Sequence, residues 1–203
     1  MALVLSIAGM VGWLGGCASP GGVSKFTTVV IDAGHGGHDS GALSRRTGRL
    51  IKEKDIALDT ALRVERKLRA AGVNTVMTRR DDRFIPLNTR VAISNRHRHS
   101  IFLSIHYNDS PKRHINGVEI YHNRRGTDRL AYDLLASISR TAGHRKRFVK
   151  TANFRVLRYS QGPSVLVECG FLSNASEAAR CADPLHREAI AEAIVQAFLK
   201  QRR

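Results

Sequence analysis

The sequence predicts an α/β fold, a single domain with a largely parallel sheet flanked by helices. Apolar β-branched runs alternate with stretches of helical periodicity from residue 27 to residue 200. Several of those runs are continuously apolar, as expected of strands covered on both faces. A chain of 203 residues, 42% of them hydrophobic, is long enough to enclose one core, and no second-domain linker interrupts it.

The first strand is expected at Thr27–Asp32, where a β-branched run stops abruptly at Gly34, Gly36 and Gly37 with His35 at the bend. A helix follows from about Lys54 to Ala71, with Ala57, Ala61, Val64 and Leu68 on one face and Gly72 as a natural stop. Next come a strand at Val73–Thr78, a helix at Leu87–Arg96, and strands at Ile101–His106 and Gly117–Tyr121. A helix at Asp128–Ala142 precedes two further strands, Phe154–Tyr159 and Ser164–Glu168. Helices at Ser176–Ala182 and Pro184–Lys200 complete the pattern, Pro184 suiting a first helical turn.

The first 24 residues carry no charged side chain, and Met1–Gly16 are mostly apolar or small. That stretch reads as the hydrophobic region of an export signal, short for a membrane span, although an uncleaved apolar anchor has the same composition. Leu14-Gly15-Gly16-Cys17 resembles a bacterial lipobox, in which cleavage leaves Cys17 as a lipidated first residue. Two or more acyl chains, at about 0.8 kcal/mol per buried methylene, anchor a protein stably to a membrane. The expected organisation is an export signal over residues 1–16, a lipidated cysteine and tether over 17–26, and one folded domain over 27–203. Cys169 and Cys181 can pair, but a strand end and a helix favour two buried free thiols.

Charge is the unusual number: 33 Lys and Arg stand against 17 Asp and Glu, a formal net charge of +16. Such an excess attracts polyanions, whether nucleic acid, anionic lipid or an acidic wall polymer. The basic residues, among them Arg79, Arg80, Arg96, Arg98, Arg145 and Arg147, are scattered and lack interleaved aromatics. A solvated basic face is expected, and a nucleic-acid partner is not.

In such a sheet, function collects at the carboxyl ends of the strands. His35 falls just past the first strand, while His106 and Glu168 are expected to close the third and the sixth. Glu53 opens the long helix and can lie over the same edge. The glycine turn is no phosphate loop, because the sixth position from Gly34 is Asp39 and no Gly-Lys-Ser/Thr follows. It presents a metal ligand or a base. Two imidazoles and one carboxylate suit catalytic zinc, with a fourth position left to water. A carboxylate outside that ligand set must then carry a proton to the leaving amine. Glu168 can do this, or it simply pairs with an arginine. His38 touches substrate or is a solvated turn residue; His97, His99, His114, His122, His144 and His186 are expected to be exposed.

Four segments, in order, sharpen the assignment: Ile31-Asp32-Ala33-Gly34-His35-Gly36-Gly37, Lys52-Glu53-Lys54-Asp55, Phe102-Leu103-Ser104-Ile105-His106-Tyr107-Asn108, and Val165-Leu166-Val167-Glu168-Cys169-Gly170-Phe171-Leu172-Ser173-Asn174. Together they resemble the zinc-dependent N-acetylmuramoyl-L-alanine amidases of the amidase_3 family, bacterial cell-wall enzymes, across nearly everything from Thr27 to Lys200. The resemblance implies a six-stranded sheet, one zinc ion (Zn2+) per chain held by His35, Glu53 and His106, and Glu168 as the catalytic carboxylate. The implied reaction hydrolyses the amide joining the lactyl group of N-acetylmuramic acid to L-alanine of the stem peptide, in wall remodelling or daughter-cell separation. Asn108, Asn153 and Arg158 lie in segments similar to the family's substrate-facing edge and are candidate substrate contacts, although Asn108 equally suits a turn cap and Arg158 an ion pair.

Some division-site members of the family carry an insertion whose helix blocks the zinc until an activator binds. Here the span from His106 to Glu168 is compact, so no obligatory activator is expected. The expected partners are peptidoglycan or its muropeptides, and a membrane reached through Cys17. The expected setting is the cell envelope, as a monomeric periplasmic lipoprotein. A catalytically inactive envelope lipoprotein that binds peptidoglycan through the same cleft is the competing reading.

Overall fold

The computed structural model describes residues 26–45, 48–123 and 126–202. The expected export signal, Cys17 and the tether as far as Lys25 lie outside the described residues. Phe26 is buried and meets Phe198 edge-on, ring centroids 6.0 Å apart, so the folded domain takes in this last tether residue. Among the described residues no helix is long and apolar enough to cross a membrane.

In chain order the elements are β1 (Thr28–Ala33), β2 (Leu43–Ser44), β3 (Ile51–Lys52), α1 (Glu53–Ala70), β4 (Asn74–Met77), α2 (Leu87–Asn95), β5 (Ser100–Asn108), β6 (Val118–His122), α3 (Asp128–Ala142), β7 (Lys146–Thr151), α4 (Arg155–Arg158), β8 (Ser164–Phe171), α5 (Ala175–Ala182) and α6 (Pro184–Lys200). Six strands form one sheet in the order β4-β1-β5-β8-β6-β7. All neighbours are parallel except β8 and β6. A short antiparallel ribbon of β2 and β3 stands apart from it.

The helices form where sequence and capping agree. α1 buries Ile56, Ala57, Ala61, Val64 and Leu68 along one stripe. α3 stops at Gly143, whose φ of 67° is the left-handed cap glycine favours. The Asn174 and Asp183 side chains accept backbone N–H bonds at the starts of α5 and α6. Cys169 and Cys181 are buried free thiols.

Alternation along the strands divides the side chains between two unequal layers. Val29, Ile31, Leu103, Ile105, Val165 and Val167 pack with α1, α3, α5 and α6 into the main core. On the other face Val30, Phe102 and Leu166 form a smaller cluster with Val91 of α2 and Val156 and Leu157 of α4, edged by the partly buried Val76, Ile93, Tyr121 and Ala152. These helices have nine and four residues. They leave the upper row of that face, His106 and Glu168, bordering an open cleft. The expectation of strands covered on both faces therefore holds only for their lower part, and the functional groups stand where cover ends.

Two expectations are corrected. Phe154–Tyr159 is not a strand: Val156 and Leu157, neighbours in sequence, are both buried while Phe154 and Tyr159 are 43% and 50% exposed, a helical pattern that ends in α4. The strand instead is β7, Lys-Arg-Phe-Val-Lys-Thr, at the sheet edge. With a neighbour on one side only, it keeps Lys146 and Lys150 in water while Arg147 pairs with Glu119 of β6, which hides it among basic residues. In addition β5 and β8 continue to Asn108 and Phe171, so His106 and Glu168 lie within strands and do not close them.

Candidate active site

Register places the central groups. β5 pairs with β8 so that His106 lies opposite Glu168, and β8 pairs with β6 so that Glu168 lies opposite Glu119. The three residues form one row across the sheet. One step lower, Asp32 of β1 lies opposite Ser104 of β5. Asp32 is buried and accepts hydrogen bonds of 2.7 Å each from Arg90 Nη1, Thr78 Oγ1 and Ser104 Oγ. Burial pushes its carboxyl up, but the Arg90 charge and these hydrogen bonds outweigh that and hold it below the ordinary range.

Past β1 the chain turns at His35, whose φ of 59° is uncommon for any residue but glycine. Two buried arginines hold the turn. Arg90 donates to the carbonyl oxygens of Ala33 and His35 at 2.6 Å and of Ile85 at 2.8 Å. Arg79 donates to those of Ala33 at 3.0 Å, Gly34 at 2.7 Å and Lys54 at 2.8 Å. Arg79, read from sequence as part of a solvated basic face, is thus an interior clamp. Close approach explains two glycines: a Cβ on Gly34 would lie 2.4 Å from the His106 ring, and one on Gly41 2.5 Å from Glu53 Oε2.

The β2–β3 ribbon delivers Glu53 as the first residue of α1, where it is 4% exposed. Its Oε1 lies 3.0 Å from His35 Nε2 and 2.9 Å from His106 Nδ1, and accepts the Tyr107 N–H at 3.0 Å. Its Oε2 accepts the Ala42 N–H at 2.8 Å. One ligand atom each from His35, Glu53 and His106 lie within 4.8 Å of one another. Behind His35, Nδ1 meets Asp39 Oδ2 at 2.9 Å, and Asp39 Oδ1 accepts the Gly41 N–H at 3.1 Å. A carboxylate in that place sets the imidazole tautomer and leaves Nε2 to face a metal.

Electrostatics fit the same use. Burial lowers the His106 pKa, but hydrogen bonding to Glu53 and its charge win and raise it to about 9. His35 is raised by the same carboxylate against the same burial. Glu53 is driven well below the carboxylate range by the two imidazoles, despite its burial. Such a set trades protons for a divalent cation. Glu168 differs: its Oε2 is buried with no hydrogen-bond partner among the described residues. Burial pushes its carboxyl up to about 7, with His106 opposing and Glu53 and Glu119 assisting. A raised, unpartnered carboxyl next to a His-Glu-His set is matched to proton transfer near neutral pH. The donor set and the orphaned oxygen together fit zinc with an adjacent proton carrier.

These groups open into a cleft of about 790 Å³. Asn108 lines it and donates to Glu119 Oε2 at 2.9 Å. Asn153 and Arg158 line another groove, of about 630 Å³, with His122 and Thr151. That groove lies by the carboxyl ends of β6 and β7, the opposite sheet edge, because those strands run against β8. His38 is exposed and stacked on Phe84, ring centroids 4.1 Å apart. His122 and His144, expected to be exposed, are buried: His122 Nδ1 meets Thr127 Oγ1 at 3.0 Å, and His144 Nδ1 meets Glu177 Oε1 at 2.9 Å. Both find their partners on neighbouring elements. Sequence reasoning passed over Asp39, Asp32 and Arg90; an aspartate inside an apolar strand was the available signal, since a buried carboxylate requires a cation.

Residues 29–200 match the Amidase_3 family, described as N-acetylmuramoyl-L-alanine amidase. The chain is 38% identical over 195 residues to the uncharacterized protein YqiI of Bacillus subtilis, covering 94% of this chain and 92% of that one. It is 39% identical over 171 residues to the N-acetylmuramoyl-L-alanine amidase LytC of the same organism, 82% of this chain but only 34% of LytC. Among solved structures, the catalytic domain of CwlV from Bacillus (Paenibacillus) polymyxa var. colistinus superposes with a TM-score of 0.80 at 35% identity, over 86% of this chain and 97% of that one. An N-acetylmuramoyl-L-alanine amidase from Clostridium difficile 630 gives 0.81 at 34% identity, over 87% and 97%. Fold, site and sequence agree: this chain belongs to the Amidase_3 family of N-acetylmuramoyl-L-alanine amidases.

Proposed function

We propose that this chain hydrolyses the amide between the lactyl group of N-acetylmuramic acid and L-alanine in peptidoglycan, using one zinc ion held by His35, Glu53 and His106. The observation that carries this is the row across β5 and β8, which sets the orphaned Glu168 oxygen beside the His-Glu-His cluster. Bound there, zinc would lower the pKa of a water toward neutrality and polarise the scissile carbonyl. Glu168 takes the proton that the attacking water loses and returns it to the departing L-alanine amine. Burial, which raises its carboxyl above the ordinary range, suits it to serve as base and then as acid. Asp39 holds the His35 ring through Nδ1, and Arg79 and Arg90 hold the backbone that carries it. Asn108 lines the cleft as a substrate contact; Asn153, next to the cleft-lining Phe154, and Arg158 contact the polymer from the neighbouring groove.

The setting follows from the same reading. The protein acts in the cell envelope as a monomeric periplasmic lipoprotein, exported by residues 1–16 and anchored by lipid on Cys17. A net charge of +16 draws it to the carboxylates of the wall polymer. No activator is needed, because α3, between His106 and Glu168, packs on α6 and β6 away from the cleft. Mass spectrometry of muropeptides digested by purified, zinc-loaded protein tests this. Free stem peptides with an L-alanine amino terminus are expected with no added protein; muropeptides bound but left uncut would mean a binding protein.

A further inference from the structure

We infer that Phe84, Leu87 and Phe154 form a saccharide-binding wall, which makes hydrolysis depend on the muramic acid ring as well as on the amide and peptide. The inference rests on the amidase reading and adds which part of the substrate is recognised, and by which residues. Among the described residues eight large hydrophobic side chains are exposed, and these three, at 41%, 51% and 43%, all line the one cleft that holds the His-Glu-His cluster. Apolar surface concentrated at a reaction site is a ligand contact, not the scattered exposure of an ordinary surface.

The wall is built to keep its shape. Phe84 stacks against His38, and its backbone N presses on Gly37, where a Cβ would lie 2.7 Å away. Phe154 stands edge-on to Tyr121 with ring centroids 4.9 Å apart. Arg155 Nε donates to Asn88 Oδ1 at 2.6 Å, tying the start of α4 to the start of the adjoining α2. Buried Leu166 and Val156 lie between, and Glu168 follows Leu166 two residues along β8 on the same face.

Chemistry selects the occupant. The scissile amide has unlike flanks: a stem peptide bearing carboxylates, and a lactyl methyl joined to a pyranose whose ring C–H bonds make an apolar face. Electropositive C–H edges settle on the negative face of an aromatic ring. Arg90 offers a carboxylate little, because its donors are spent on Asp32 and on backbone carbonyls, and Arg155, the other arginine at the cleft, turns its Nε to Asn88. The wall is continuous with Glu168 and the cluster, so a ring seated on it keeps the lactyl carbonyl within the site.

Two measurements test the inference. The first compares kcat/KM for N-acetylmuramoyl-L-alanyl-D-isoglutamine with that for D-lactoyl-L-alanyl-D-isoglutamine, the same amide without the ring. The ring should confer a preference on the order of 10- to 100-fold. Phe154→Ala and Phe84→Ala should each shrink that ratio, while Phe154→Tyr, which keeps the aromatic face, should retain it. Equal rates on the two substrates, or a preference that survives both alanine variants, would overturn the inference. The second measurement is saturation-transfer NMR with the peptide-free disaccharide N-acetylglucosaminyl-N-acetylmuramic acid. Ring C–H signals should receive saturation from the native chain and lose it in the alanine variants. Transfer without cleavage of either peptide would remove the amidase reading and leave the wall standing; cleavage without transfer would do the reverse.

Discussion

Replacing Glu168 by glutamine keeps the shape of the side chain and removes its ability to carry a proton. The structure makes this a clean perturbation. Among the described residues Glu168 Oε2 has no hydrogen-bond partner, so no hydrogen bond to that oxygen is broken. The cluster of His35, Glu53 and His106 does not include it, so zinc content should stay at one ion per chain. Proton transfer of this kind contributes about 10²- to 10⁴-fold, or about 2.7–5.4 kcal/mol at 1.36 kcal/mol per tenfold. A neutral amide also avoids the desolvation that lifts the native carboxyl to about 7, so the zinc-free variant should be at least as stable as the native chain above that pH. The assay is stem-peptide release from muropeptides, with zinc content and Tm measured on the same sample. A kcat within about threefold of native at full zinc content would refute the role assigned to Glu168.

Three other perturbations probe the surroundings of the site. Arg90→Met leaves the buried Asp32 carboxylate without its cation, at a cost of about 3–5 kcal/mol. Scanning calorimetry should show Tm falling by about 6–20 °C, at 2–4 °C per kcal/mol for a domain of this size; an unchanged Tm would contradict the pairing. Gly34→Ala drives a methyl to 2.4 Å from the His106 ring, so zinc affinity should fall well before the fold is lost; isothermal titration with circular dichroism on one sample separates the two. In the metal-free protein the His106 pKa, about 9 against an ordinary 6.5, means its stabilisation is complete below pH 6.5 and is lost as pH rises through 9. Zinc competes with that proton, so its apparent affinity should rise by about tenfold per pH unit for each proton displaced. Equal zinc affinities at about pH 6 and pH 8 would contradict the shift.

Much of this was legible in the sequence, for physical reasons. The run ending in Gly34-His35-Gly36-Gly37 advertises a strand stopping at a tight turn, and α1, α3 and α6 follow from stripe, proline and cap residues. What escaped depends on partners distant in sequence. Arg79 and Arg90 look like surface charges until the turn they clamp is folded around them. His144 sits in a basic stretch, yet Glu177 reaches it from α5 and pays for its burial. β7 hides because an edge strand can remain charged, and α4 because a short helix and a short strand share one apolar composition. That Asn153 and Arg158 line a groove with His122, beside the cleft that Phe154 lines, follows from β6 and β7 running against β8, which local pattern does not encode.

The most direct test is crystallographic: anomalous scattering at the zinc edge from crystals of the zinc-loaded chain. A single strong peak should lie about 2.0–2.2 Å from one atom each of His35, Glu53 and His106, with Glu168 outside the coordination sphere. A peak bound elsewhere, or none at these three side chains, would contradict the account.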